Sequence, residues 1–96
     1  MSLEINNSQN KKKDDELVVN LNIRSRTKSF FKGPVKSVTA VNATGEFDIL
    51  PLHANFITLI ESFVIIDKGL PSEKKIEFDN GVVSAIGGNV DIYVGV

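Results

Sequence analysis

From Leu17 onward the apolar residues recur at every second position in short runs, and each run stops at glycine, proline, asparagine or aspartate. Alternation at a period of two places successive side chains on opposite faces of an extended chain, so this pattern restricts the fold to strands joined by tight turns. Val19, Leu21 and Ile23 share one face of the first segment, and Val90, Ile92 and Val94 share one face of the last. Between them, Ser29-Phe30-Phe31-Lys32 is broken by Gly33-Pro34, which marks an edge or a bulge, before Val35 to Val41 resumes. Asn42-Ala43-Thr44-Gly45 is turn chemistry, and Phe47, Ile49 and Pro51 bracket a short strand. Phe56 to Ile60 and Phe63 to Ile66 are too short for stable helices and rich in β-branched and aromatic residues, so both read as strands. After the loop Gly69-Leu70-Pro71-Ser72, Lys74 to Phe78 reads as a strand, Asp79-Asn80-Gly81 as a hairpin turn, and Gly87-Gly88-Asn89 as another, with Val82 to Ile86 pairing across it with Val90 to Val94. Turns at this density with no helical period predict an all-β protein, an antiparallel β-sandwich or flattened barrel of about 8–10 short strands.

Ninety-six residues, 42% of them apolar, suffice for one small core. Residues 1–16 are predicted to be a disordered polar tail and residues 17–96 the sandwich domain. With no cysteine, neither disulfides nor thiolate-bound zinc can hold the fold, which fits a reducing, intracellular compartment. The longest apolar run, Phe63 to Ile66, is far short of the ~20 residues of a membrane-spanning helix, so no direct membrane insertion is expected.

The near-neutral total hides an asymmetry. Residues 1–36 hold eight Lys or Arg against four acids, and residues 37–96 hold three against eight, which makes them +4 and −5. Lys11-Lys12-Lys13 is followed at once by Asp14-Asp15-Glu16, which cancels the local field, and the segment lacks the arginines and aromatics of a nucleic-acid arm. No nucleic-acid partner is expected.

Two motifs add a resemblance. Phe31-Lys32-Gly33-Pro34-Val35 precedes Gly45-Glu46-Phe47-Asp48-Ile49-Leu50-Pro51-Leu52-His53-Ala54 at a spacing that resembles the epsilon subunit of rotary F-type ATP synthase, whose amino-terminal domain is a β-sandwich. The similarity runs from about Leu17 to Val96, weakly through Asn80-Gly81 and Gly88 to Ile92. It departs where Asp48 replaces the family's glycine and Leu52 its small residue, and the chain stops at Val96 without the helical hairpin that many members carry. The resemblance implies a non-catalytic rotor subunit of the central stalk, coupling ion-driven c-ring rotation to ATP synthesis through contact with gamma. It also implies a place on the cytoplasmic face of the inner membrane as a peripheral part of the complex, a monomeric state in isolation, and no cofactor. By the same resemblance Thr44, Gly45, Glu46 and Asp48 face the c-ring, and Leu50 and His53 lie toward gamma.

The residues themselves offer little chemistry. There is no Gly-x-Ser-x-Gly and no phosphate-binding Gly-x-x-x-x-Gly-Lys-Ser/Thr loop, and Gly87-Gly88 sits between strands rather than before a helix. His53 with Glu46 and Asp48 is a poor metal set, because zinc takes three or four converging ligands and Pro51 breaks the strand alternation before the histidine. No catalytic, cofactor or metal residue is therefore assigned. Glu46 and Asp48 instead read as an acidic rim, and affinity for a partner is expected from that rim and a hydrophobic strip. A free-standing sandwich that binds some other protein fits the sheet pattern equally well.

Overall fold

The computed structural model describes residues 17–51 and 55–95, and the predicted tail at residues 1–16 lies outside them. Seven strands occur among the described residues: β1 (Val19–Arg24), β2 (Ser29–Val35), β3 (Val38–Asn42), β4 (Gly45–Ile49), β5 (Phe56–Ile66), β6 (Lys74–Ile86) and β7 (Asn89–Val94). They form one all-β sheet, ordered β2-β1-β7-β6-β5-β3-β4, in which β2 and β4 are the edges. Gly33-Pro34 does not break the strand: β2 runs through both to Val35 and the chain breaks at Lys36-Ser37 before β3, while Pro34 falls in an edge strand, where its missing N–H costs the ladder least.

Seven strands stand where about nine were expected, because two predicted pairs are each continuous. Phe56 to Ile60 and Phe63 to Ile66 are the two halves of β5, and Asp79-Asn80-Gly81 lies inside β6 rather than turning the chain. The ladder pairs Glu61 with Asn80 but Ser62 with Phe78, so Asp79 is an extra residue without an opposite number. One inserted residue reverses which side chains face inward. Ile76 and Phe78 pack on the core before it, and Val83 and Ala85 after it. Opposite the bulge Ser62 takes a positive φ of 76°, which bends β5 with its partner. The bend lets a single sheet supply both layers of the sandwich: β2, β1, β7 and the second half of β6 on one side, β3 and β4 on the other.

Gly81 follows the bulge for a steric reason. A Cβ there would stand 2.5 Å from the Tyr93 carbonyl oxygen and 3.3 Å from the Val94 Cα, so only glycine admits β7 at this distance. By contrast Gly87 and Gly88, with φ of 59° and 83°, are the two left-handed residues of a tight hairpin turn between β6 and β7, as expected.

The sheet is mixed rather than wholly antiparallel. β1 runs parallel to β7, pairing Leu21 with Val90 and Ile23 with Ile92, while its other edge takes β2 antiparallel. The inward-facing residues of these strands are Val19, Leu21, Ile23, Val90, Ile92 and Val94, and they join Val38, Ala40, Ile49, Ile60, Val64, Ile66 and Val83 in one core.

A buried aspartate closes one corner of the two layers. Asp67, at φ 53° just after β5, accepts hydrogen bonds from the Lys36 N–H (2.6 Å), the Ser37 N–H (3.3 Å) and the Ser72 hydroxyl (2.8 Å). Its own N–H donates to the Ser37 carbonyl at 3.0 Å. Burial by itself pushes this carboxyl up, but the Ser72 hydroxyl, the two N–H groups and the Lys36 charge together outweigh it and hold the group below the usual range. A depressed folded-state value means that Asp67 stabilises the fold above its unfolded value of 3.8 and loses that contribution as pH falls through the lower folded value. Asp67→Asn keeps a residue tolerant of positive φ but removes the charge. It is expected to cost about 1–3 kcal/mol at neutral pH and progressively less as pH falls below 3.8, as read by urea unfolding at a series of pH values.

Candidate functional site

The β3–β4 hairpin presents the predicted acidic rim. Its turn is set by Asn42, whose Oδ1 accepts from the Thr44 N–H at 2.9 Å and the Thr44 hydroxyl at 2.7 Å. Gly45 follows at a φ of 122° with nothing within 4 Å of where a Cβ would stand, so backbone conformation rather than crowding selects glycine here. Along β4 the alternation runs as read from the sequence: Glu46 and Asp48 point outward, while Phe47 leans on the core and Ile49 is buried.

The two acids have different surroundings. Glu46 forms an ion pair with Lys68 at 3.5 Å, and both side chains are more than half exposed. A pair in that setting contributes little to stability, so Glu46 remains available to a partner. Asp48 Oδ1 instead accepts the hydroxyl proton of Thr39 at 2.7 Å, and Thr39 is buried between β4 and β5. Asp48 therefore anchors its neighbouring strand as well as lining the rim. Asp48→Ala is expected to destabilise the protein by about 1–2 kcal/mol by leaving the Thr39 hydroxyl unpaired, whereas Glu46→Ala should stay within about 0.5 kcal/mol. Thermal unfolding of the two variants checks this difference.

Leu50 is 52% exposed. It leaves the far end of β4, six residues and roughly 20 Å of extended chain from Thr44, so the two do not form one site. His53 lies outside the described residues.

The structure adds an apolar strip to this rim. Ile57 and Leu59 on β5 are 67% and 73% exposed, and Ile86 on β6 is 54% exposed. Register puts Leu59 opposite Val82 and Ile57 opposite Ser84, all on the outer face of the β5–β6 pair. Leu59 also lines a shallow depression with Asn42, Ala43, Thr44, Thr58 and Glu61, so the hairpin turn and the strip adjoin. The sequence held a signal for it: in Phe56-Ile57-Thr58-Leu59-Ile60 both parities are apolar, and a strand has two faces but only one core to fill. Among the described residues no three metal-binding side chains converge, and no helix is long and apolar enough to cross a membrane. A flat apolar strip bordered by a polar turn suits contact with another protein surface.

Comparison with known proteins gives this geometry a setting. The sequence pattern of the ATP synthase Delta/Epsilon chain, beta-sandwich domain, matches residues 18–95. A stretch of 48 residues is 44% identical to the ATP synthase epsilon chain of Wolinella succinogenes, over 50% of this chain and 37% of that one. Two cryo-EM structures of mitochondrial ATP synthases contain chains of the same fold. One, from Euglena gracilis (OSCP/F1/c-ring), superposes with a TM-score of 0.73 at 17% identity over 81% of this chain and 51% of its counterpart. The other, from Tetrahymena thermophila (central stalk/c-ring), gives 0.64 at 14% identity over 81% and 63%. The match thus spans between about a third and two thirds of each relative's length.

Proposed function

Because this chain belongs to the ATP synthase Delta/Epsilon family, with that family's β-sandwich domain at residues 18–95, we propose that it is a non-catalytic central-stalk subunit that binds gamma and rests on the c-ring. In this role it passes ion-driven rotation of the ring to the catalytic part of the complex. It acts at the cytoplasmic face of the membrane as a peripheral component and is a monomer when isolated. The observation that supports this most directly is the exposed apolar strip of Ile57, Leu59 and Ile86 beside the polar β3–β4 turn. A strip of that kind desolvates against a protein partner, and an acidic turn next to it fixes orientation and rejects wrong partners.

We assign the strip to gamma, with Leu50 and His53 toward the same partner, and Thr44, Gly45, Glu46 and Asp48 to the polar loops of the c-ring. Coupling of this sort needs stiffness rather than chemistry. A close-packed interior deforms little under load, and the continuous β5–β6 ribbon ties both layers of the sandwich to one pair of strands. Co-expression of the full chain with gamma and c-ring subunits, followed by affinity purification, tests the reading. Stable recovery of all three supports it; a chain that ignores both partners would return it to a free-standing binding module.

A further inference from the structure

We propose that the β1–β2 turn, together with the strand ends beside it, is a docking surface for the anionic headgroups of a lipid bilayer. Between Leu17 and Gly45 the sequence holds five basic residues and no aspartate or glutamate. Three of them, Arg24, Arg26 and Lys28, gather at this turn. Among the described residues the ion pairs join Lys68 to Glu46 and Lys75 to Glu77, and none involves these three. The nearest acid by register is Asp91, opposite Asn22 and two positions down the sheet from Arg24 and Tyr93.

The turn is also built to hold its charges outward. The Ser25 N–H donates to the Lys28 carbonyl at 2.8 Å, and the Ser25 hydroxyl oxygen accepts from the N–H groups of Thr27 and Lys28 at 3.4 and 3.2 Å. Exposed aromatic rings accompany the cations: Lys28 lies over Phe30 at 5.2 Å, and Arg24 lies over Tyr93 at 4.8 Å while donating to its hydroxyl at 2.5 Å. Basic side chains with one amphipathic ring, Tyr93, and one apolar ring, Phe30, at one turn match the headgroup region, which attracts cations and accommodates aromatic rings at its polar boundary. A protein partner would call for mixed signs and side-chain pockets. The turn carries one sign, and a neighbouring concavity, lined by Arg24, Ser25, Arg26, Tyr93 and Val94, is of a size to take one phosphate-bearing headgroup.

Position agrees with this assignment. Register sets Arg24, Tyr93, Val82 and Leu59 in one row across the sheet, and Leu59 adjoins the β3–β4 turn. The basic turn therefore lies level, along this row, with the turn assigned above to the c-ring. The inference itself rests on the charge and geometry of the β1–β2 turn and stands apart from the stalk assignment.

Flotation of the full chain with phosphatidylcholine vesicles, with and without phosphatidylglycerol, tests it. Partition into the phosphatidylglycerol vesicles alone is expected, strong at low salt, weaker at ~0.15 M and unaffected by free inorganic phosphate. Each charge removed should weaken it about fivefold, so the double variant Arg26→Gln/Lys28→Gln should bind about 25-fold more weakly. Lys36→Gln, beyond the other end of β2, should bind like the parent. Lys11, Lys12 and Lys13 stay in every variant, so a loss belongs to the turn. Equal partition of the double variant and the parent would overturn the proposal, as would retention on polyglutamate without any partition into anionic vesicles, which would indicate an acidic protein partner instead. Gamma and c-ring take no part in this assay, so its outcome is separable from that of the co-purification.

Discussion

Leu59→Asp, and separately Ile57→Asp, should lower the affinity of the full chain for gamma by at least about 30-fold, the loss of a central apolar anchor worth about 2 kcal/mol or more. The argument depends on exposure. Both side chains are already mostly in water, at 73% and 67%, so a carboxylate in their place removes no core contact and should change folding stability by no more than about 0.5 kcal/mol. On binding, the same carboxylate must be desolvated against an apolar surface without a partner, which is costly. Glu61→Ala on the same strand is the contrast, because it trims a charge at the rim of the strip and should alter the salt dependence of binding more than its strength. Isothermal titration or surface plasmon resonance with purified gamma reads the first effect, and thermal unfolding reads the second. If both aspartate variants bound gamma like the parent, the strip would have to be reassigned.

Gly81→Ala should be the most destabilising single methyl addition in the described fold, at about 3 kcal/mol and a fall in Tm of roughly 12–24 °C. The added carbon would stand 2.5 Å from a main-chain carbonyl oxygen of β7, and main chain cannot swing aside as the end of a flexible side chain can. β7 is held on its other edge by β1, so a retreat would strain two ladders at once. Gly45→Ala separates sterics from backbone preference. Its φ of 122° is unfavourable for any side chain, but no atom lies within 4 Å of the new carbon, so the cost should be smaller, at about 1 kcal/mol. Differential scanning calorimetry of the two variants compares the effects. A Gly81→Ala protein that melts with the parent would mean that the β6–β7 spacing is softer than its pairing implies.

Much of this could be read along the chain. Val19, Leu21 and Ile23 and their counterparts Val90, Ile92 and Val94 lie on the core as their alternation requires, Pro34 sits on an edge strand, and Gly87-Gly88 turns a hairpin. The outward direction of Glu46 and Asp48 followed from the same parity. Asp79-Asn80-Gly81 was misread because the same residues that favour a turn also favour a bulge, and both reverse the facing of the residues that follow. The double role of Asp48 was invisible, since it depends on Thr39 being buried on the next strand. So was the corner at Asp67, whose three donors come from Lys36, Ser37 and Ser72.

The sequence by itself determined which segments are extended and, within each, which residues share a face, because these depend on backbone preference and on a two-residue period that acts over a few neighbours. It also determined the family, through two motifs held at a fixed spacing. Only the tertiary structure decided that the first and last strands run parallel, that two long bent strands serve both layers, and that the outer side of Phe56 to Ile60 is left bare. The reason is that alternation specifies two faces for every strand but says nothing about which of them another strand will cover.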